Sequence, residues 1–203
     1  MNSFRLVFAI VAGCCLLHPA SLPADDAAPP FEMEKHYSAD LAITMKEGMT
    51  IQSKTYVDGD KMRSDVTMNG VAMAIIVRKD KQKIYRVMED QKMVMEMPYD
   101  PDKVGGRTAA SFGPEGKFEL VGPDTVDGVP CTKYKVTSDK TKQVFLFWLD
   151  VDRKVPVQMA AADGSLTVKW KNFTVGPPDA SLFEVPEGYQ VMTMPGMPGG
   201  SGQ

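Results

Sequence analysis

Asp58-Gly-Asp-Lys-Met-Arg-Ser-Asp-Val-Thr-Met-Asn-Gly-Val-Ala-Met-Ala-Ile-Ile-Val77 sets the fold class. It holds two turn dipeptides, Asp58-Gly59 and Asn69-Gly70. Both suit type I′ hairpins, because Gly accepts the positive φ that such turns require. Between them Met62, Ser64, Val66 and Met68 alternate with Lys61, Arg63, Asp65 and Thr67. That period of two is a strand with one apolar and one wet face. Val71 to Val77 is apolar on both faces, which predicts a central strand or one with something packed over its outer side.

The same punctuation runs along most of the chain. Further turn signals stand at Glu47-Gly48, Lys79-Asp80, Asp90-Gln91, Asp127-Gly128, Ser138-Asp139-Lys140, Asp152-Arg153 and Asp163-Gly164. Spacing of about ten residues predicts an antiparallel meander of about eleven strands. Met93, Met95 and Met97 oppose Val94 and Glu96; Tyr134 and Val136 oppose Lys133 and Lys135; Leu166, Val168 and Trp170 oppose Thr167, Lys169 and Lys171. Val144 to Leu149 is a second doubly apolar run. Helical signals are confined to Thr108–Phe112 and to a short turn ending at Phe183, with Asp179 as its N-cap. A sheet this wide with no long helix to cover it must curl on itself, so the expected fold is mainly β, a strongly curved antiparallel half-barrel. Its concave lining is expected from Met62, Val66, Met68, Met93, Met95, Met97, Tyr134, Val136, Val168 and Trp170. Met is flexible and polarizable, and either accepts apolar ligands of varied shape or plugs an irregular core.

The chain has 203 residues, 43% hydrophobic and 24% charged, which suits one soluble domain. A net charge of −3 with no basic block argues against a nucleic-acid partner. Arg5 followed by the apolar run Leu6 to Leu17 reads as a secretory signal peptide, residues 1–24, cleaved after Ala24. The run is short of the roughly 20 residues that span a bilayer, so the mature chain carries no transmembrane segment. Val11-Ala12-Gly13-Cys14 offers a second reading, a lipobox with Cys14 lipidated and the protein anchored at the outer membrane. Both readings export the protein, the first to the periplasm. Residues 25–30 form a flexible leader, 31–192 one β domain, and 193–203 a disordered Gly/Pro/Met tail. Tyr99 to Gly116 interrupts the meander and is read either as a lid over the open end or as a surface excursion. With Cys14 and Cys15 removed, Cys131 has no disulfide partner and reads as a small buried apolar residue.

Several segments carry a family resemblance. Tyr56-Val-Asp-Gly-Asp-Lys-Met-Arg63-Ser-Asp65 resembles a "G-D-K-x-R-x-D" segment of exported bacterial proteins related to the lipoprotein carrier LolA. So do Ile84-Tyr85 with Gln91 to Met95, Val126 to Lys135, and Phe147-Trp-Leu-Asp150 with Val155-Pro156. Ala180-Ser-Leu-Phe-Glu-Val-Pro-Glu-Gly-Tyr189 resembles the "LF-x-[LV]-P-x-G-[YF]" ending of the same proteins. The resemblance spans most of residues 50–190. It implies a curved half-barrel in the cell envelope with an apolar concave face, which holds acyl chains in the carrier branch. LolA has helices under its sheet that this sequence does not match, so lipoprotein carriage itself is not implied.

The residues for catalysis are sparse. There is no Gly-x-Ser-x-Gly, phosphate loop or His-Glu-x-x-His, and after the signal His36 is the only His. Asp58, Asp60, Asp150 and Asp152 suit turns and lack the calcium-loop pattern. No cofactor and no enzymatic activity are expected, an esterase being the least favoured reading. The expected function is binding of a lipid or other apolar small molecule in the concave face. The alternatives are an envelope protein-interaction module, and soft-metal binding by Met192, Met194 and Met197, whose thioethers suit Cu(I).

Overall fold

A computed structural model of the protein describes residues 34–68, 70–100, 116–139 and 142–194. Twelve strands form one curved sheet. They are β1 (His36–Met45), β2 (Thr50–Asp58), β3 (Lys61–Met68), β4 (Val71–Arg78), β5 (Lys83–Met88), β6 (Met93–Pro98), β7 (Lys117–Val126), β8 (Val129–Thr137), β9 (Val144–Asp150), β10 (Pro156–Ala161), β11 (Leu166–Val175) and β12 (Gln190–Thr193). The strand order is β12-β6-β5-β4-β3-β2-β1-β11-β10-β9-β8-β7.

Each turn signal falls in or at the edge of a connection between successive strands. At Asp127-Gly128 both residues take positive φ, 48° and 84°, as a type I′ turn demands. Gly116 opens β7 where a Cβ would run into the backbone carbonyl of Thr137, so only Gly fits. Asp179 caps a 3₁₀ turn, Ala180–Phe183, as expected: its Oδ1 accepts hydrogen bonds from Ser181 N at 2.9 Å and Ser181 Oγ at 2.7 Å.

Two details differ from the expected single antiparallel meander. There are two meanders, β1–β6 and β7–β11, joined where β1 pairs with β11. The break at Tyr99 to Gly116 is where the chain passes from one edge of the sheet to the other. The twelfth strand, β12, pairs parallel to β6 and so makes the sheet mixed. Its four exposed residues show no alternation to read, and Thr193 belongs to it rather than to the tail. The signal peptide, Cys14, the leader, Thr108–Phe112, residues 101–115 and Met197 lie outside the described residues.

The pairing register assigns every strand side chain to one of two faces. One is apolar. Across the second meander and the adjoining β1 it buries Leu41, Val136, Phe147, Leu149, Met159, Val168, Trp170 and Phe173 with Tyr37. Tyr37 stacks on Phe173 at 4.6 Å, and this burial pushes its hydroxyl pKa up to about 12. Phe147 and Trp170 lie on strands two apart, yet their ring centroids approach to 6.4 Å. Flat strands two apart stand about 9.6 Å from each other, so the two side chains lean toward one another across β10. Three register shifts fall in this half of the sheet and at its junction with β1, at Ser38/Asp40 against β11, Pro156/Gln158 and Leu120/Gly122. Bulges of this kind curve and twist strands. No shift occurs between β2 and β6.

The opposite face is charged, with two apolar islands. Val126, Cys131 and Trp148 form one, which is where the outward residues of the doubly apolar β9 go. Burial raises the Cys131 thiol pKa, so it is a packed apolar group rather than a reactive one. The other island, Ala74, Ile76, Tyr85, Val87 and Val94, is sealed by Phe183 from the segment between β11 and β12. That seal explains why β4 is apolar on both sides.

Candidate functional site: an apolar face with a single charge

Nine of the ten residues expected to line the hollow, Met62, Val66, Met93, Met95, Met97, Tyr134, Val136, Val168 and Trp170, share the apolar face. In the first meander the register arranges it in cross-strand rows. One row runs Tyr37, Val57, Met62, Val77, Ile84, Met97. The next runs Ala39, Thr55, Ser64, Ile75, Arg86, Met95, Met192. The third runs Leu41, Ser53, Val66, Met73, Met88, Met93, Gln190. Met68 pairs with Val71 at the end of the hairpin. In the second meander Val168 and Tyr134 share a row with Met159 and Phe147, Val136 stands beside Phe145, and Trp170 faces Leu41.

Burial divides these nine. Met62, Val136, Val168 and Trp170 are buried in the apolar clusters and act as floor. Val66, Met93, Met95, Met97 and Tyr134 are half-buried and present surface. The sequence reading missed Met73 and Met88, which complete an unbroken row of three thioethers with Met93. It also left three hydroxyls out of the lining, although alternation had already put Ser64 on this face. Thr55 Oγ1 and Ser64 Oγ are hydrogen-bonded at 3.1 Å. Ser53 Oγ, on a residue only 7% exposed, has no hydrogen-bond partner. Strict alternation through Ile84, Arg86 and Met88 is the signal that would have placed Arg86 on this face.

Two of the motifs behind the family resemblance, at Tyr56–Asp65 and Ala180–Tyr189, meet on the charged face and have a structural task. After β11 the chain crosses over β3 and β4 before joining β6 as β12. Arg63 Nη1 donates to the Leu182 carbonyl at 3.3 Å, and its Nε to Asp65 at 2.6 Å. Arg78, 4% exposed, donates to the Phe183 carbonyl at 3.1 Å, to Glu184 Oε1 at 2.6 Å, and through two nitrogens to Asp80 at 2.9 and 2.7 Å. Lys81 reaches Glu184 Oε2 at 3.0 Å, and the Lys61 ammonium lies 5.9 Å from the centre of the Phe183 ring. These bonds raise the Arg78 pKa and lower that of Asp80 to about 2. Lys81 and Arg78 together lower Glu184 as well. Lys61 and Arg63 of the "G-D-K-x-R-x-D" segment, together with Arg78 and Lys81, therefore clamp the "LF-x-V-P" segment as a strap on the charged face, while Met62 and Ser64 of the same segment alternate onto the apolar face.

A surface groove of about 570 Å³ lies over the charged face, between Asp40, Lys54, Asp65, Glu89, Lys171 and Asn172. Charges of both signs alternate there, and Asn172 donates to Asp40 at 2.6 Å. Among the described residues no group of three His, Cys, Asp or Glu side chains is placed to hold a metal ion. Of the expected soft-metal ligands, Met192 sits beside Met95 and Met194 is tied through its backbone to the Glu96 carbonyl at 2.8 Å. No described helix is long and apolar enough to cross a membrane.

The fold is that of an open, curved sheet with one apolar face. It superposes on the crystal structure of an uncharacterized conserved protein from Thermus thermophilus with a TM-score of 0.57 at 10% identity, over 79% of this chain and 91% of that one. Lower scores come from the lipoprotein LppX of Mycobacterium tuberculosis (TM-score 0.43, 12% identity, 70% of this chain and 88% of that one). A LolA superfamily protein from Nitrosomonas europaea gives 0.38 at 10% identity, over 79% and 94%. The sequence itself matches the profile described as Domain of unknown function (DUF4412) over residues 38–153, more than half of the chain, and the protein belongs to that family. The match ends before β10 and β11, which fill the centre of the sheet between β1 and β9. A search of the curated proteins finds no match.

Proposed function

We propose that this is a non-enzymatic protein of the bacterial cell envelope that holds a lipid or other apolar ligand against the methionine-lined part of its apolar face. One observation carries the reading. In the first meander the chain seals its charged face with a strap, while among the described residues nothing outside the sheet but Tyr99 packs on the apolar face. Apolar surface left contiguous on that scale is a binding surface by default. Methionine suits it, because flexible thioethers repack around acyl chains of different shape. The signal-peptide pattern and the LolA-like resemblance support a location where such ligands occur. The domain would be residues 31–192, released into the periplasm or tethered through Cys14.

The test is mass spectrometry of protein purified from the envelope under conditions that retain bound material. The reading expects stoichiometric lipid or another apolar molecule, together with an N-terminus at Asp25 or at a lipidated Cys14. Protein that emerges ligand-free and fails to take up acyl chains would exclude it.

A second reading has its own observation. The β7 edge exposes Leu120 (70%) and Val121 (55%), and among the described residues no strand pairs with its outer side. Such an edge accepts an added strand from a partner protein. Crosslinking in cells that captures one dominant partner through β7, with no lipid bound, would favour it.

A further inference from the structure

The apolar face carries one charge. By the pairing register Arg86 stands between Ile75 and Met95, and every other charged strand residue points to the opposite face. The other described arginines are engaged: Arg63 with Asp65, Arg78 with Asp80 and Glu184, and Arg153 with the Phe173 carbonyl. Arg86 is exposed and makes no hydrogen bond or ion pair with any described residue. It is flanked by the row Met73, Met88, Met93 on one side and the row Val77, Ile84, Met97 on the other. In the same row, beyond Ile75, lie the hydroxyls of Ser64 and Thr55. The unpartnered Ser53 hydroxyl, on a residue only 7% exposed, is on the neighbouring row.

A guanidinium has five donors in a fixed fork that matches a carboxylate or phosphate, and it stays charged at any physiological pH. Placed alone in an apolar trough, it has no partner among the described residues and gains one from a ligand. Hydrocarbon alone would leave it unpaired; an amphiphile with a cationic head would meet repulsion. We infer that the ligand is an anionic amphiphile, its acyl chain laid along Met73, Met88, Met93 and Met95 and its carboxylate or phosphate bound by Arg86. This inference rests on the proposed function and names the class of ligand within it.

The test uses the full chain and pairs of probes with equal chains. Dodecanoate, dodecyl phosphate and the neutral methyl dodecanoate are titrated by calorimetry against wild type, Arg86→Gln, Arg86→Lys and, as a control on the charged face, Lys54→Gln. Wild type should prefer at least one anion over the ester by roughly tenfold, the size of one charge-assisted hydrogen-bonded pair. Which anion binds tighter separates a fatty acid from a lipid phosphate as the source. Arg86→Gln should abolish the preference and leave ester binding unchanged, Arg86→Lys should keep part of it, and Lys54→Gln should keep all of it. Equal binding of anion and ester by wild type, or a preference that survives Arg86→Gln, overturns the inference while the proposed function stands. Failure of all three probes to bind counts against both.

Discussion

In the second meander the apolar face is filled by Phe147, Trp170 and Phe173; in the first it is lined by Met73, Met88, Met93 and Met95, and the large ring, Phe183, packs on the opposite side. The register shifts divide the same way. They fall from the β1–β11 junction through β7, and none lies between β2 and β6. One half of the sheet carries the bulges and stoppers its own hollow with stiff aromatic groups. The other is regular, is held from behind by a strap, and keeps a soft surface in front. The difference separates a part that stabilises from a part that can bind.

The contrast can be broken by stability measurements. Phe147 is fully buried, so Phe147→Ala should cost about 3–5 kcal/mol in denaturant unfolding. Met95→Ala, at a half-buried position, should cost about 1 kcal/mol. Equal losses would mean that the methionine surface is core after all. Phe183→Ala should cost about 3 kcal/mol or more, and amide exchange should show β3 to β5 losing protection before β8 to β11. Uniform loss across the sheet would deny the strap its local role. Arg78→Met removes the charged donor to the Phe183 carbonyl and should cost about 2 kcal/mol, read in the same unfolding experiment.

The clamp also sets a pH dependence. Asp80 is held at about 2 against an ordinary 3.8, and Glu184 is lowered too. Both carboxyls titrate lower folded than unfolded, so their contribution is complete above their unfolded values. It is lost as pH falls from about 4 toward 2. The melting temperature of wild type should therefore drop across that window, and that of Arg78→Met should drop less. The smallest effect is expected where the surface is soft. Met95→Leu, a swap that nearly conserves volume at a half-buried position, should change stability by less than Met95→Ala, under about 1 kcal/mol, and circular dichroism should show an unchanged sheet.

Local chemistry was legible in the sequence and long-range pairing was not. The Asp-Gly and Asn-Gly turns located the hairpins because their backbone demands are satisfied within four residues. Alternation placed nine described residues on one face because side-chain direction in a strand is set by parity alone. Nothing local, however, says that β1 lies beside β11, or that Gln190–Thr193 adds to β6. Two of the family-like segments were visible as text, yet the contact between them, Arg63 holding Leu182, spans more than a hundred residues, as does the bond from Arg78 to Phe183. Arg86 was overlooked for a related reason: a charged residue in a strand reads as solvent-facing until its neighbours' register puts it on the apolar side.

The most direct test of the division between the two halves is photocrosslinking with a diazirine-bearing fatty acid, followed by peptide mapping of the labelled sites. Adducts should concentrate on Val66 to Met97, on the methionine rows around Arg86. Adducts confined to Phe118–Trp170, or spread evenly over both faces, would contradict the assignment of binding to the first meander.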